Sequence, residues 1–326
     1  MPRPLIGVMF RRDMPPETLP EFARAVEAGG MDELWIVEDL PFNGGISAAG
    51  VALASTGRIS VGIGILPAVA RNAAYAAMDL ATLARIFPSR LQIGIGHGVA
   101  DWIRQVGAMP RSQMGALEEV TDAIRSLLHG EELDVGGDYV NLDRVRLEHP
   151  PLVVPPVSLG VTGPKSLALS GRVADGTILV ELTGPALVRT NLEIIRGGMA
   201  EAGRAGDDHQ ITVFSFWDQG SDGNAIRVAI RPIIAERIAS EGMRDLVAPG
   251  FADDAQAMLD RGGMELLASE MPDAWLDEIT VSGTPDQCRA AIDRLGEAGV
   301  SHIGLVPPAA ITPDKVESWC RALITA

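Results

Sequence analysis

The chain has 326 residues, 47% hydrophobic and 21% charged, the proportions of a folded globular protein and not of a disordered one. Its formal net charge is −16, a field that repels phosphodiester backbones and excludes a general nucleic-acid binder. The length permits about two domains at ~150 residues each and a core that needs no disulfide or metal staple.

The two cysteines, Cys288 and Cys320, form no C-x-x-C pair and read as buried small hydrophobes in a reducing cytosol. The N-terminus lacks the apolar stretch of a secretory signal, and no run approaches the ~18 apolar residues of a membrane span. The expectation is a soluble cytoplasmic protein. Cys/His zinc spacing is absent, and no metal site is expected at Asp13, His149 or Asp207-Asp208-His209.

In chain order, 6–10 reads as a strand. Leu19, Phe22 and Val26 then mark an amphipathic helix ended by Gly29-Gly30. Strands follow at 34–37 and at 59–66, the second with Gly62 and Gly64 inside it. Ala76, Leu80, Leu83 and Phe87 mark a helix, 91–95 a strand, and Leu117, Val120, Ile124 and Leu127 another helix. Residues 131–149 break the rhythm with a hairpin turned at Gly136-Gly137. Strands at 157–161, 177–180 and 211–217 alternate with helices through Leu167 and through Val188 and Ile195. Residues 218–280 are acidic, Met-rich and helix-like, an insertion with no clear strand. Thr284-Pro285-Asp286-Gln287 carries a capping-box signature. A strand at 302–306 and a helix capped by Thr312-Pro313 close the chain.

Eight strands, each followed by a helix, predict an α/β fold of the (β/α)8 TIM-barrel type. Apolar, non-alternating strands fit a parallel sheet covered on both faces. A doubly wound open sheet is the rival. No linker divides the chain, so 1–326 reads as a single barrel domain, with the hairpin 131–149 and the helical stretch 218–280, before the last βα unit, as insertions.

In such a barrel the chemistry lies at the C-terminal ends of the strands. Strand two ends in Glu38-Asp39, two carboxylates that either contact a ligand and manage a proton or cap the next helix. Strand four runs into Gly94-Ile95-Gly96-His97-Gly98, where glycines let a ligand approach the backbone and His97 is a base, a ring partner or a structural residue. Strand five ends in Gly160-Val161-Thr162-Gly163-Pro164, small residues that open a helix and suit either an anion or a simple cap. Glu181 follows strand six, an acid at the barrel mouth that is either catalytic or paired with an arginine. No nucleophile elbow, H-E-x-x-H or Walker motif is present, and so few reactive side chains suggest that a bound cofactor does the chemistry.

At these residues the sequence resembles the bacterial-luciferase-like superfamily, and within it the coenzyme F420-dependent oxidoreductase branch that includes methylenetetrahydromethanopterin reductase. The resemblance covers nearly the whole chain. Its strongest blocks are Trp35 to Asp39, Val61 through Arg71, Ala81 to Gly98 and Gly163 to Gly176.

The resemblance implies a cofactor ring in the barrel mouth and hydride transfer between F420 and a small organic substrate. FMN with oxygen, in a luciferase-like monooxygenase, is the alternative, and a non-catalytic flavin-binding barrel a second one. It implies Asp39 beside the ring, a non-prolyl cis peptide at Gly64-Ile65, Gly96-His97-Gly98 bordering the cofactor, and its phosphate on Thr162 and Gly163 with Gly160 nearby. His97 and Glu181 would be further proton groups, and a homodimer through barrel helices is implied, with the Ala-rich stretch from Ala73 to Ala84 as a candidate surface. Trp217, Phe214 and methionines are candidate substrate lining beside the insertion, with core packing an equal reading of the same residues. This chain departs from the family at Leu40, where a histidine is frequent, and at Val99, where sugar-phosphate dehydrogenases carry a glutamate. With only Lys165 and Lys315 as lysines, sugar-phosphate oxidation is rejected.

Overall fold

The computed structural model describes residues 3–241 and 251–325. Its strands are β1 (Leu5–Phe10), β2 (Glu33–Ile36), β3 (Ser60–Pro67), β4 (Leu91–Gly96), β5 (Leu133–Gly136), β6 (Asn141–Val145), β7 (Val157–Gly160), β8 (Gly176–Leu179), β9 (Gln210–Gln219), β10 (Thr280–Gly283) and β11 (His302–Val306). Its helices are α1 (Leu19–Ala28), α2 (Gly45–Ser55), α3 (Ala73–Ile86), α4 (Ala100–Gln105), α5 (Gln113–Leu128), α6 (Pro164–Val173), α7 (Pro185–Glu201), α8 (Gly223–Glu241), α9 (Phe251–Glu270), α10 (Asp273–Ile279), α11 (Pro285–Glu297) and α12 (Pro313–Ile324).

Strands β1, β2, β3, β4, β7, β8, β9 and β11 pair in parallel, and β11 returns to β1 to shut the ring. The expected barrel is present and the open-sheet rival is not. β5 and β6 form a separate antiparallel pair.

β10, α2 and α4 leave no periodic signal in the sequence. β9 forks. Its lower half pairs with β11, and its upper half, from Phe216 to Gln219, pairs with β10. β10 has four residues, too few for a periodic pattern. α2 is mostly Gly, Ala and Ser, and its three larger apolar residues, Ile46, Val51 and Leu53, do not form a clear helical stripe. The 218–280 stretch also needs correction, because β9 runs on to Gln219 and Thr280 opens β10. Between them α8, α9 and α10 share their own apolar cluster, including Ile230, Ile234, Ile238, Leu267, Trp275 and Leu276. Arg227 pairs with Asp277 and Arg231 with Asp273 across it. Residues 242–250 of that stretch lie outside those described.

Two rings fill the barrel interior. Trp35 and Phe214 meet edge to face at 5.4 Å, a favoured aromatic geometry. Glycines on neighbouring strands make the room. A Cβ on Gly62 would lie 2.4 Å from the Trp35 ring, and one on Gly304 would lie 2.3 Å from the Phe214 ring. Below them, at the N-terminal end, Glu33 is fully buried. Its carboxylate accepts the Trp35 indole N–H at 3.0 Å and an N–H of Gln92, and it meets His302 Nδ1 at 2.8 Å.

In the shell, α1 buries Leu19, Phe22 and Val26. The capping box at Thr284 and Gln287 is formed in both directions. Cys288 and Cys320 are buried and unpaired, and burial pushes the Cys288 thiol up to about 12. The alanines of α3 point inward, with Ala73, Ala76, Ala77, Ala81 and Ala84 buried. Its outward face presents Tyr75, Met78 and Ile86 instead.

Candidate active site

The C-terminal ends of the strands surround a cavity of about 930 Å³, near the top of the ~300–1,000 Å³ range of small-molecule sites. Asp39, Gly64, Ile65, His97, Gly98, Gly160, Glu181 and Phe214 all line it, so most of the residues singled out from sequence converge here.

Asp39 sits in the loop after β2. Leu40–Pro41 is a cis peptide, and the Phe42 N–H closes the turn on the Asp39 carbonyl at 2.7 Å. The Asp39 carboxylate pairs with Arg12 at 3.0 Å. That guanidinium also lies over the rings of Phe42, at 5.3 Å, and Trp102, at 5.7 Å. Burial raises the Asp39 pKa above the usual carboxylate range. Arg12 opposes the shift, Glu181 adds to it and Arg237 weakly opposes it. A carboxyl held up in this way is suited to carry a proton.

Its neighbour Glu38 is a capping residue. It takes Arg71 through both oxygens, at 2.8 and 2.9 Å, and accepts the Gly45 N–H that opens α2 at 2.7 Å. Of the two roles weighed for this pair of carboxylates, the geometry gives Glu38 the cap and leaves Asp39 facing the cavity.

Glu181, after β8, pairs with Arg237 of α8 at 3.0 Å. The helical stretch is thereby tied to the barrel mouth. His97 Nε2 meets Ser166 Oγ at 3.3 Å. Burial lowers the His97 pKa, only partly offset by the Gln113 backbone, so the ring is neutral near pH 7.

The Gly64–Ile65 peptide is cis, and the β3–β4 register shifts between Ile63 and Leu66. The glycines around it have a different purpose from the expected one. A Cβ on Gly96 would lie 2.7 Å from Ile65 Cδ1, and one on Gly160 would lie 2.4 Å from Ile65 Cγ2. Both make space for the Ile65 side chain; Gly160 still lines the cavity, whereas Gly96 is buried behind that side chain and off the cavity wall. Gly98 does line the cavity. It needs its left-handed φ of 72°, and a Cβ there would meet Pro67 at 2.8 Å.

Thr162 and Gly163 also lie off the cavity wall. Gly163 is the N-cap of α6, followed by Pro164 at the first helical position, with nothing within 4 Å of the space its side chain would fill. This open helix end adjoins His97 through Ser166, in the first turn of α6. For Trp217 the structure selects core packing over substrate lining. It is buried in the shell against Trp319 at 5.1 Å. Met9 is the one methionine among the described residues that lines the cavity.

Sequence reasoning missed Arg12, Arg71 and Arg237. They lie 27, 33 and 56 residues from the acids they pair with, and only the fold brings them together. Among the described residues no cluster of three or more metal-ligating side chains occurs.

The fold is a parallel eight-stranded α/β barrel whose C-terminal mouth brings a cis peptide in β3 and the half-buried Asp39 carboxylate to one cavity. The chain matches the family model "Luciferase-like monooxygenase" over residues 6–302 and belongs to that family. It is 27% identical over 316 residues to the 5,10-methylenetetrahydromethanopterin reductase of Methanolobus tindarius, covering 95% of each chain. Its fold superposes on the coenzyme F420-dependent tetrahydromethanopterin reductase of Methanopyrus kandleri with a TM-score of 0.81, at 21% identity and covering 98% and 97% of the chains. It superposes on an F420-dependent secondary alcohol dehydrogenase, solved with an F420–acetone adduct, with a TM-score of 0.77, at 20% identity and covering 98% and 99%.

Proposed function

We propose that this protein is an oxidoreductase that moves a hydride between the deazaflavin coenzyme F420 and a small organic substrate. The observation that carries the reading is the convergence of Asp39, the Gly64–Ile65 bulge and Glu181 on one cavity. The similarity to F420-dependent enzymes along nearly the whole chain supports it.

The residues present fit such a cofactor. Ile65, Gly98 and Gly160 give the cavity a flat, largely apolar wall for a ring. The open end of α6 at Thr162 and Gly163 offers backbone N–H groups to a phosphate. When bound, F420 supplies two electrons as a hydride. The protein orients the substrate, excludes water and handles one proton. Asp39 is the proton-carrying group, and the Arg12 pair holds its carboxylate in place. Glu181, steadied by Arg237, sets the field around Asp39. His97 borders the ring as a neutral hydrogen-bonding group.

The family description favours a second reading, an FMN-dependent monooxygenase using reduced flavin and oxygen. Parallel titration with F420 and FMN, followed by absorbance and fluorescence, separates the two. Tighter, saturable F420 binding is the expected result. Preference for FMN moves the protein to the oxygen-using branch, and binding of neither overturns both in favour of a non-catalytic barrel.

The protein works in the cytoplasm, a reading supported by its two unpaired, buried thiols. It forms a homodimer through the outward face of α3, where Tyr75 and Ile86 are 66% and 62% exposed. Sedimentation of Tyr75→Glu checks this, with a shift to monomer expected.

A further inference from the structure

The loop from β8 to α7 carries a backbone outlier. Among the described residues three non-glycine positions have a positive φ: Ser89, Arg144 and Leu182. The first two are exposed. Leu182, at 71°, is buried and adjoins Glu181 on the cavity wall. A left-handed backbone is strained for a bulky side chain and persists only where the surroundings enforce it. Here the enforcement comes from the helical insertion. The Leu182 side chain belongs to the apolar cluster of α8, α9 and α10 and not to the main barrel core.

The same short loop is held to the insertion at two further points. Arg237 of α8 meets Glu181 at 3.0 Å. Glu278 of α10 accepts the Ala186 N–H at 2.8 Å, and a Cβ on Gly184 would lie 2.4 Å from the Glu278 carbonyl oxygen. The loop leaves a barrel strand, but its anchors lie in the insertion, and Glu181 is carried with it.

Titratable and charged groups reach the cavity from every side. Arg11 and Arg12 follow β1, Glu38 follows β2, Arg71 follows β3 and His97 follows β4, while Glu181, Glu236 and Arg237 come from the β8–α7 loop and α8. On the barrel side Arg11 is paired with Asp13 and Arg71 with Glu38, and burial keeps His97 neutral near pH 7. Arg12 is therefore the barrel's charge on Asp39. Burial and the Glu181 charge act against it, and Arg237 offsets Glu181 only in part. Glu181 is the counterweight that the insertion holds.

We infer that Leu182 is a positioning residue: anchored in the helical insertion, it holds Glu181 at the cavity, so that the docking of the insertion decides whether Asp39 keeps a proton or gives it up to pair with Arg12. With the insertion seated, the Glu181 charge favours the protonated carboxyl. With the insertion displaced, Leu182 relaxes to an ordinary backbone, Glu181 leaves with the loop, and Arg12 acts alone and favours the carboxylate. The proton is exchanged with solvent, and no electrons move in this step. Asp39 is thereby loaded only while the cavity is covered. The catalytic consequence of the inference rests on the proposed oxidoreductase reading; the coupling itself does not.

The test uses the full chain without added cofactor. Asp39 is titrated by NMR of isotope-labelled aspartate carboxyls, its signal identified by its loss in Asp39→Asn. Leu182→Gly accepts the left-handed backbone but lacks the anchor. In it, amide exchange across α8 and α10 is expected to quicken at least about threefold, and Asp39 is expected to titrate at lower pH than in the parent. Glu181→Gln, which removes the charge and leaves the loop in place, should move Asp39 in the same direction. So should Leu267→Ala, buried in the insertion core and off the cavity wall, which also serves where Leu182→Gly does not fold. Val316→Ala, at a buried α12 position of the barrel core, should lower the urea midpoint and leave the Asp39 titration in place.

An Asp39 titration that stays put while α8 and α10 exchange faster, in Leu182→Gly or Leu267→Ala, would overturn the inference and leave Leu182 as packing alone. An unmoved titration in Glu181→Gln, or a Val316→Ala variant that shifts Asp39 as far as Leu182→Gly does, would overturn it as well. F420 titration of the same preparations keeps the two readings apart. A protein whose Asp39 follows the insertion but that does not bind F420 contradicts the cofactor reading alone, and one that binds F420 with an unresponsive Asp39 contradicts this inference alone.

Discussion

At the N-terminal end of the barrel Glu33 is fully buried, and its oxygens are occupied by Trp35, Gln92 and His302. At the C-terminal end Asp39, Glu38 and Glu181 each face an arginine and remain partly open to the cavity. The same chemical group is used in two ways. On the floor the carboxylate is enclosed by side chains of the strands themselves, so removing it disturbs packing and hydrogen bonding together. At the mouth the partners come from loops and from α8, so a carboxylate can change its proton or its partner without disturbing a strand. Burial there is enough to move the Asp39 pKa, but not to make the fold depend on it.

The largest contrast should come from exchanging roles between the two ends. Asp39→Asn is expected to lower turnover by about 10²–10⁴-fold, the usual contribution of a positioned proton-transfer group, while the urea midpoint stays close to that of the parent. Comparable losses of both would return Asp39 to a structural role. Glu33→Ala is expected to do the reverse. It leaves the Trp35 N–H, Gln92 and His302 without their acceptor, and unfolding in urea should show a loss of about 3 kcal/mol. Glu33→Gln, which keeps one acceptor oxygen, should cost less.

His209 sharpens the picture of the floor. Burial, with a further contribution from the Arg204 charge, lowers its pKa to about 4, and its Nε2 meets Thr177 Oγ1 at 2.8 Å. Between its ordinary pKa of 6.5 and about 4, the unfolded chain takes up a proton that the native chain refuses. Stability is therefore lost as pH falls through that window and is flat in this group below it. The loss should be on the order of 2 kcal/mol once residual solvent is allowed for, and urea midpoints from pH 7 to pH 4 should show it. His209→Gln should remove that part of the slope. Thr284→Ala, at the mouth but remote from the cavity lining, should cost about 1 kcal/mol through its lost cap and leave turnover unchanged.

The eight barrel strands, the closing helices and the capping box were legible because each is written in local order. Examples are the apolar run 302–306 and the Thr284/Gln287 pair. That Asp39, His97 and Glu181 line the cavity was legible as well, since barrel topology directs attention to strand ends. The arginines that set their fields were not, because pairing across 27 to 56 residues leaves no local spacing to read. Gly96 was not legible for a related reason. It looks like an opening for a ligand until the neighbouring strand is in place and Ile65 is found to occupy the space.

That last arrangement has an evolutionary consequence. Ile65, Gly96 and Gly160 come from three strands, and the larger residue is tolerated only because the other two lack side chains. A mutation at any one of them is judged by the other two. Lineages that trim the isoleucine gain freedom to enlarge the glycines, and those that keep it do not. The three positions should therefore drift as a set, and a designer reshaping this wall must change them together.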